Sequence, residues 1–153
     1  AGGDLRVLGQ PPGRSWRIGI RDPGGGVLAT LEPASGEAVF SSGDYERYRS
    51  DGQGERRGHV LDPRTGRPAQ GAVHASVVTD DGSLADAAAT ALLVAGREAW
   101  QATARDLGLA QVLIVDRSGT LRLSRELAQR LELETGTERR SVTRELHPPE
   151  TAD

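Results

Sequence analysis

Short runs of alternating apolar and polar residues dominate the first quarter of the chain. Residues 5–8, 16–20, 27–31 and 37–40 are β-prone and set apart by Gly, Pro and Ser clusters, a pattern that predicts strands of an antiparallel meander. Gly24, Gly25 and Gly26 stand between two of them. A glycine run that cradles phosphate opens a helix, whereas this one precedes a strand-like run, so it reads as a hairpin turn with no ligand. Residues 72–79 alternate well enough for a further strand. An alanine-rich stretch then predicts a helix over residues 84–95 that packs through Leu84, Ala87, Ala88, Ala91 and Leu92, with Asp86 and Thr90 at the border of that face. A second helix is expected over 97–107, ending near Gly108. The continuous apolar run VLIV at 112–115 suits a buried strand, paired across a turn with 121–123. Ser124 is placed to cap a short helix reaching about Leu131. Beyond it charges accumulate, and residues 132–153, with His147, Pro148, Pro149 and Glu150, read as a charged, flexible tail. The fold class is α+β, with one domain over residues 1–131.

Composition narrows the partners more than the fold. Hydrophobic residues make up 36% of the chain and aromatics 3%, which points to a thin core. All 19 basic residues are arginine, and the net charge of -3 argues against a nucleic-acid footprint. With 0 cysteines there is no disulfide, thiolate metal site or cysteine nucleophile. No apolar run approaches the roughly 20 residues needed to span a bilayer.

Two places carry candidate chemistry. Asp86 and Thr90 lie one helical turn apart on one face, so a carboxylate and a hydroxyl could grip one hard cation. Magnesium takes oxygen ligands and keeps several waters, so two or three protein oxygens plus substrate phosphates suffice. The same stretch also reads as a capping box, with Ser83 as N-cap and Asp86 near the positive helix end. Spacing leaves both readings open. The second place is His59, beside the segment DPRTGRP (62–68). Pro63, Gly66 and Pro68 predict a stiff turn that would aim His59 and Asp62 reproducibly. An imidazole can take a proton from a hydroxyl, but one beside a turn is as readily a hydrogen-bonded surface residue. Arg64 and Arg67 have the geometry to meet phosphate oxygens, yet read as solvated turn residues. His74 and His147 lack a constellation and read as non-functional.

The ordered blocks SSGDYERY (41–48), DG (51–52), HVLDPRTGRP (59–68), ASVV (75–78) and LADAAATALLVAG (84–96) resemble the ApbE family, the FAD:protein FMN transferases. AGGDLRVLG (1–9) and WRIGIRDP (16–23) are similar to that family's Gly-Gly-Asp strand and Trp-containing strand. The resemblance implies an ApbE-like, T-fold-related α+β domain, mostly antiparallel sheet with packed helices, of which this chain looks like the C-terminal part. It also implies an activity: magnesium-assisted cleavage of FAD, attachment of FMN to a Thr or Ser hydroxyl of another protein, and release of AMP. Carried over by position, Asp86 and Thr90 look like the metal ligands and His59 like the proton acceptor. Ser42, Gly43 and His59 look like residues beside the flavin nucleotide. The implied acceptor is a bacterial redox protein, and the implied location the cell envelope, with a cytoplasmic form as the alternative.

Some positions depart from the pattern. Ala89 stands where some members carry a second acid before the helix threonine, which predicts a metal held by fewer protein oxygens. Ser41 replaces a threonine, keeping the hydroxyl and losing a methyl. The chain opens at Ala1 inside the Gly-Gly-Asp pattern, whereas complete members have a long preceding part that supplies much of the flavin pocket. A fragment, with little FAD binding on its own, is expected; a partner chain or a decayed remnant are the alternatives. The rival functions are an FAD pyrophosphatase that gives FMN and AMP, and a non-catalytic flavin-binding module.

Overall fold

The computed structural model describes residues 3–45, 48–50, 56–136 and 142–144. Its elements in chain order begin with β1 (Leu5–Arg6), β2 (Ile18–Arg21), β3 (Val27–Leu31), β4 (Ala38–Gly43), β5 (Tyr48–Ser50), β6 (Arg56–Gly58), β7 (Leu61–Asp62) and β8 (Arg67–Pro68). They continue with β9 (Ala72–Thr79), α1 (Gly82–Asp106), β10 (Gln111–Asp116), β11 (Leu121–Leu123), α2 (Arg125–Ala128), β12 (Leu131–Leu133) and β13 (Val142–Arg144). The large sheet runs β1-β4-β9-β10-β11-β13, antiparallel except for the parallel β11–β13 pair. A smaller antiparallel sheet runs β12-β3-β2.

The large sheet is covered on both faces, which explains the unbroken apolar run in β10. Val112 and Ile114 pack with Ala75 and Val77 against α1, while Leu113 and Val115 pack with Val39 and Val78 against Ile20, Leu28 and Leu31 of the smaller sheet. Alternate residues of one strand thus serve two cores. That division also corrects the expected meander. β2 and β3 form the hairpin that was expected, but β1 leaves them and pairs with β4, so the four strands separate into two layers. An apolar sheet face needs a cover, and β2–β3 provides it. The Gly24–Gly26 run is a turn: the Asp22 carboxylate accepts from Gly24 N at 2.7 Å, and Gly25 and Gly26 have φ of 105° and 80°.

The helix start also differs from expectation. Asp81, not Ser83, is the N-cap of α1, its carboxylate accepting from Ser83 N at 2.9 Å and Leu84 N at 3.1 Å. An aspartate two residues earlier satisfies free N–H groups of a helix that starts sooner than expected, and frees Asp86 from that task. The buried face is set by Ala85, Ala88, Ala89, Leu92 and Leu93, so Ala88 and Leu92 face inward as expected, whereas Ala87 is exposed. The two expected helices are one element broken at Gly96, whose φ of 60° and ψ of -162° are open to glycine alone. The break lets Gly96 touch Gly71: a Cβ on Gly96 would lie 2.3 Å from the Gly71 backbone.

Ser124 caps α2 as expected, accepting from Leu127 N. The helix stops at Ala128, and Leu131–Leu133 then joins β3 at the edge of the smaller sheet. Tail residues 137–141 and 145–153, including His147, lie outside the described residues. No described helix is long and apolar enough to cross a membrane.

Candidate active site

β4 ends at Gly43 and pairs with β1 only through Ala38 and Val39, so Ser41, Ser42 and Gly43 run along a strand edge beyond β1. A cavity of about 620 Å³ opens there, between α1 on one side and β2 on the other. Its walls include Ser42 and Gly43 from β4, His59 after β6, and Asp86 and Thr90 from α1. Every site residue carried over by the resemblance therefore borders one space, although they come from three separate stretches of chain.

The helix supplies the first wall. Asp86 is exposed and Thr90 half-buried, one turn apart. The Thr90 hydroxyl lies 2.9 Å from Ser42 Oγ and donates weakly to the Asp86 carbonyl at 3.5 Å. Among the described residues, no hydrogen bond or ion pair engages the Asp86 carboxylate. Ala89 is buried against the sheet and does not present a side chain to solvent. No cluster of three or more His, Cys, Asp or Glu side chains among the described residues is arranged to hold a metal ion. A cation would instead rest on Asp86, the Thr90 hydroxyl, and oxygens of water and substrate. That all-oxygen donor set fits magnesium.

The loop and turn segments supply the second wall. Asp62 is committed to its own turn: its carboxylate accepts from Arg64 N at 2.9 Å and from both Arg64 Nε and Nη2 at 3.0 Å. Those bonds from the guanidinium hold the Asp62 carboxyl below the ordinary aspartate range. They also engage Arg64, in keeping with its reading as a turn residue. Gly66, at φ 65°, closes the turn, and Ala69 N donates to Val60 O at 2.9 Å, fixing the chain next to His59.

A polar string that the sequence did not disclose forms the floor. Tyr45 Oη lies 3.2 Å from His74 Nδ1, His74 Nε2 lies 2.8 Å from Ser76 Oγ, and Ser76 Oγ lies 2.8 Å from Ser41 Oγ. His74 is 1% exposed, and burial pushes its imidazole down to about 4 against the opposing pull of the Asp22 carboxylate. It is therefore neutral near pH 7, with one ring nitrogen donating and the other accepting. Asp4 Oδ1 accepts from Ser41 N at 3.2 Å, and the Arg21 guanidinium lies 5.9 Å from the Tyr45 ring centre. Gly43 serves this floor sterically, since a Cβ there would come within 2.4 Å of Tyr45 Cε1. Asp4, Arg21, Tyr45 and His74 all border the cavity; the first three were not singled out from sequence, and His74, expected to lack a constellation, has Tyr45 and Ser76 beside it. The one available signal was alternation, which puts His74 and Ser76 on one face of β9; the antiparallel register then sets them opposite Gly43 and Ser41.

Known proteins share this arrangement of segments. An FAD:protein FMN transferase of Rhodobacter capsulatus is 46% identical over 137 residues, covering 89% of this chain and 26% of that protein. The crystal structure of the ApbE protein of Thermotoga maritima superposes with a TM-score of 0.74 at 38% identity, covering 84% of this chain and 42% of the other. The flavin transferase ApbE of Vibrio cholerae gives a TM-score of 0.67 at 32% identity, over 85% of this chain and 42% of that one. The chain thus spans less than half the length of these relatives. A sequence model of the ApbE family matches residues 1–114, a span that contains β1 through β10 up to Ile114 and all of the cavity's walls. The chain belongs to the ApbE family.

Proposed function

We propose that the full-length protein carrying this chain is a magnesium-dependent FAD:protein FMN transferase. The observation that carries the proposal is the convergence of Ser42, Gly43, His59, Asp86 and Thr90 on one cavity. The Rhodobacter capsulatus and Vibrio cholerae relatives, both FAD:protein FMN transferases, support it. In this reading Asp86 and Thr90 hold the magnesium ion, with Ser42 fixing the Thr90 hydroxyl. When bound, the ion supplies charge neutralisation at the FAD pyrophosphate. His59 accepts the proton of a Thr or Ser hydroxyl on the acceptor protein. The hydroxyl oxygen bonds to the FMN phosphorus as the bond to the AMP phosphate breaks, and AMP carries away the electron pair. Phosphoryl transfer asks mainly for positioning and charge stabilisation, which this small set of side chains can provide.

The acceptor in this reading is a redox protein of the bacterial cell envelope. Incubation of the full-length protein with FAD and magnesium, with and without an acceptor, tests the reaction class. Flavin fluorescence that co-migrates with the acceptor on a denaturing gel is the expected result. Free FMN released at the same rate without acceptor would instead mean hydrolysis.

A further inference from the structure

We propose that Arg117 is the positioning residue for His59. It lies in the turn between β10 and β11, past residue 114, where the match to the family's sequence model ends, and it does not border the cavity. Its root is fixed: the buried Asp116 carboxylate accepts from Ser118 N at 2.9 Å and Thr120 N at 3.0 Å, and Gly119 N donates to Asp116 O at 2.9 Å.

From this base the guanidinium reaches two other segments. Nη2 donates to Asp44 Oδ2 at 2.7 Å and to Ala69 O at 2.9 Å, while Nε donates to Gln70 O at 3.1 Å. Both segments lead to His59. Asp44 packs against Gly58, the residue before His59, so closely that a Cβ on Gly58 would lie 2.8 Å from Asp44 Cβ. Ala69 N holds the carbonyl of Val60, the residue after His59, at 2.9 Å. One side chain thus ties together the supports on either side of the imidazole. The Asp44 side chain is 14% exposed, so without its partner a largely buried carboxylate would lose its cation and the loop would shift toward water. A guanidinium can meet three acceptors in different directions from a rigid fork; an ammonium on a flexible stem holds them less rigidly.

The inference rests on the reading of His59 as proton acceptor, and the test separates the two. FMN attachment is measured in the full-length protein with saturating acceptor for Arg117→Gln, Arg117→Lys, His59→Ala and the Gln/Ala double variant, with melting temperatures alongside. A displaced base costs on the order of 100-fold in kcat. Arg117→Gln is therefore expected to lower kcat by about that factor with KM for FAD within about twofold, and Arg117→Lys to recover part of the loss. In the His59→Ala background Arg117→Gln should do nothing more, because the residue it positions is gone. Should Arg117→Gln fail to fold, Arg117→Ala with added guanidinium replaces it, and restored kcat is the expected result. Wild-type kcat in Arg117→Gln, or an equal further loss in the His59→Ala background, overturns the inference while leaving the reading of His59 intact. Unchanged attachment in His59→Ala overturns that reading itself, and the inference with it.

Discussion

His74 is the residue whose behaviour departs furthest from its type. Its imidazole titrates near 4 because burial excludes the charged form. The unfolded chain, with an ordinary histidine near 6.5, binds the extra proton between those two values. Folding stability is then complete above about pH 6.5 and falls as the pH drops toward 4, with about 2 kcal/mol of the loss appearing between pH 7 and 4.5. Urea unfolding at those two pH values should show that loss in the wild type and a correspondingly flatter response in His74→Gln; equal slopes would mean that His74 takes its proton freely in the fold. At this scale the motifs brought Asp86, Thr90 and His59 to attention, and the fold sets all three beside one cavity. Tyr45 was passed over and His74 read as lacking a constellation, because their contact is made across 29 residues and only when β4 and β9 pair.

Among the elements, α1 depends on two local devices. Its N-cap is Asp81, so Asp81→Ala should cost about 1 kcal/mol while Ser83→Ala costs next to nothing. Chemical unfolding of both variants distinguishes this arrangement from a Ser83 cap, which predicts the reverse order. Its break at Gly96 is the second device. Gly96→Ala must place a methyl group against the Gly71 backbone at a φ and ψ closed to alanine, and should cost about 3 kcal/mol or more. Gly66→Ala shares a positive φ but meets nothing within 4 Å, and should cost only about 1 kcal/mol. Similar losses for both would show that crowding against Gly71 contributes nothing. The helix and the strands β3, β9 and β10 were legible because periodicity is a local property. The layer assignment of β1 and β2 was not, because a strand's own alternation does not say which sheet it joins.

On the scale of the whole molecule, the cavity has walls from α1, β2, β4 and the segment after β6, and it opens along the β4 edge beyond β1. Among the described residues these walls do not fully enclose the cavity, whereas tight ligand sites bury most of their ligand. Residues 1–153 alone should therefore bind FAD more weakly than micromolar in the presence of magnesium, by isothermal titration; micromolar affinity would mean that these walls suffice. The ApbE-like α+β fold was legible as a whole because its motifs recur in fixed order along the chain. The division into two stacked sheets was not, because it depends on long-range pairing. The proposed function requires that one cavity unite a cation site at Asp86 and Thr90 with a base at His59. Its most direct test is the rate of FMN attachment to an acceptor protein by full-length wild type, Asp86→Ala and His59→Ala under saturating FAD, at the magnesium concentration that just saturates wild type and at a large excess. Removal of a general base costs roughly 100- to 10,000-fold. A loss of that order in His59→Ala, and a loss in Asp86→Ala that excess magnesium partly restores, is the predicted result; attachment at the wild-type rate in either variant would contradict the account.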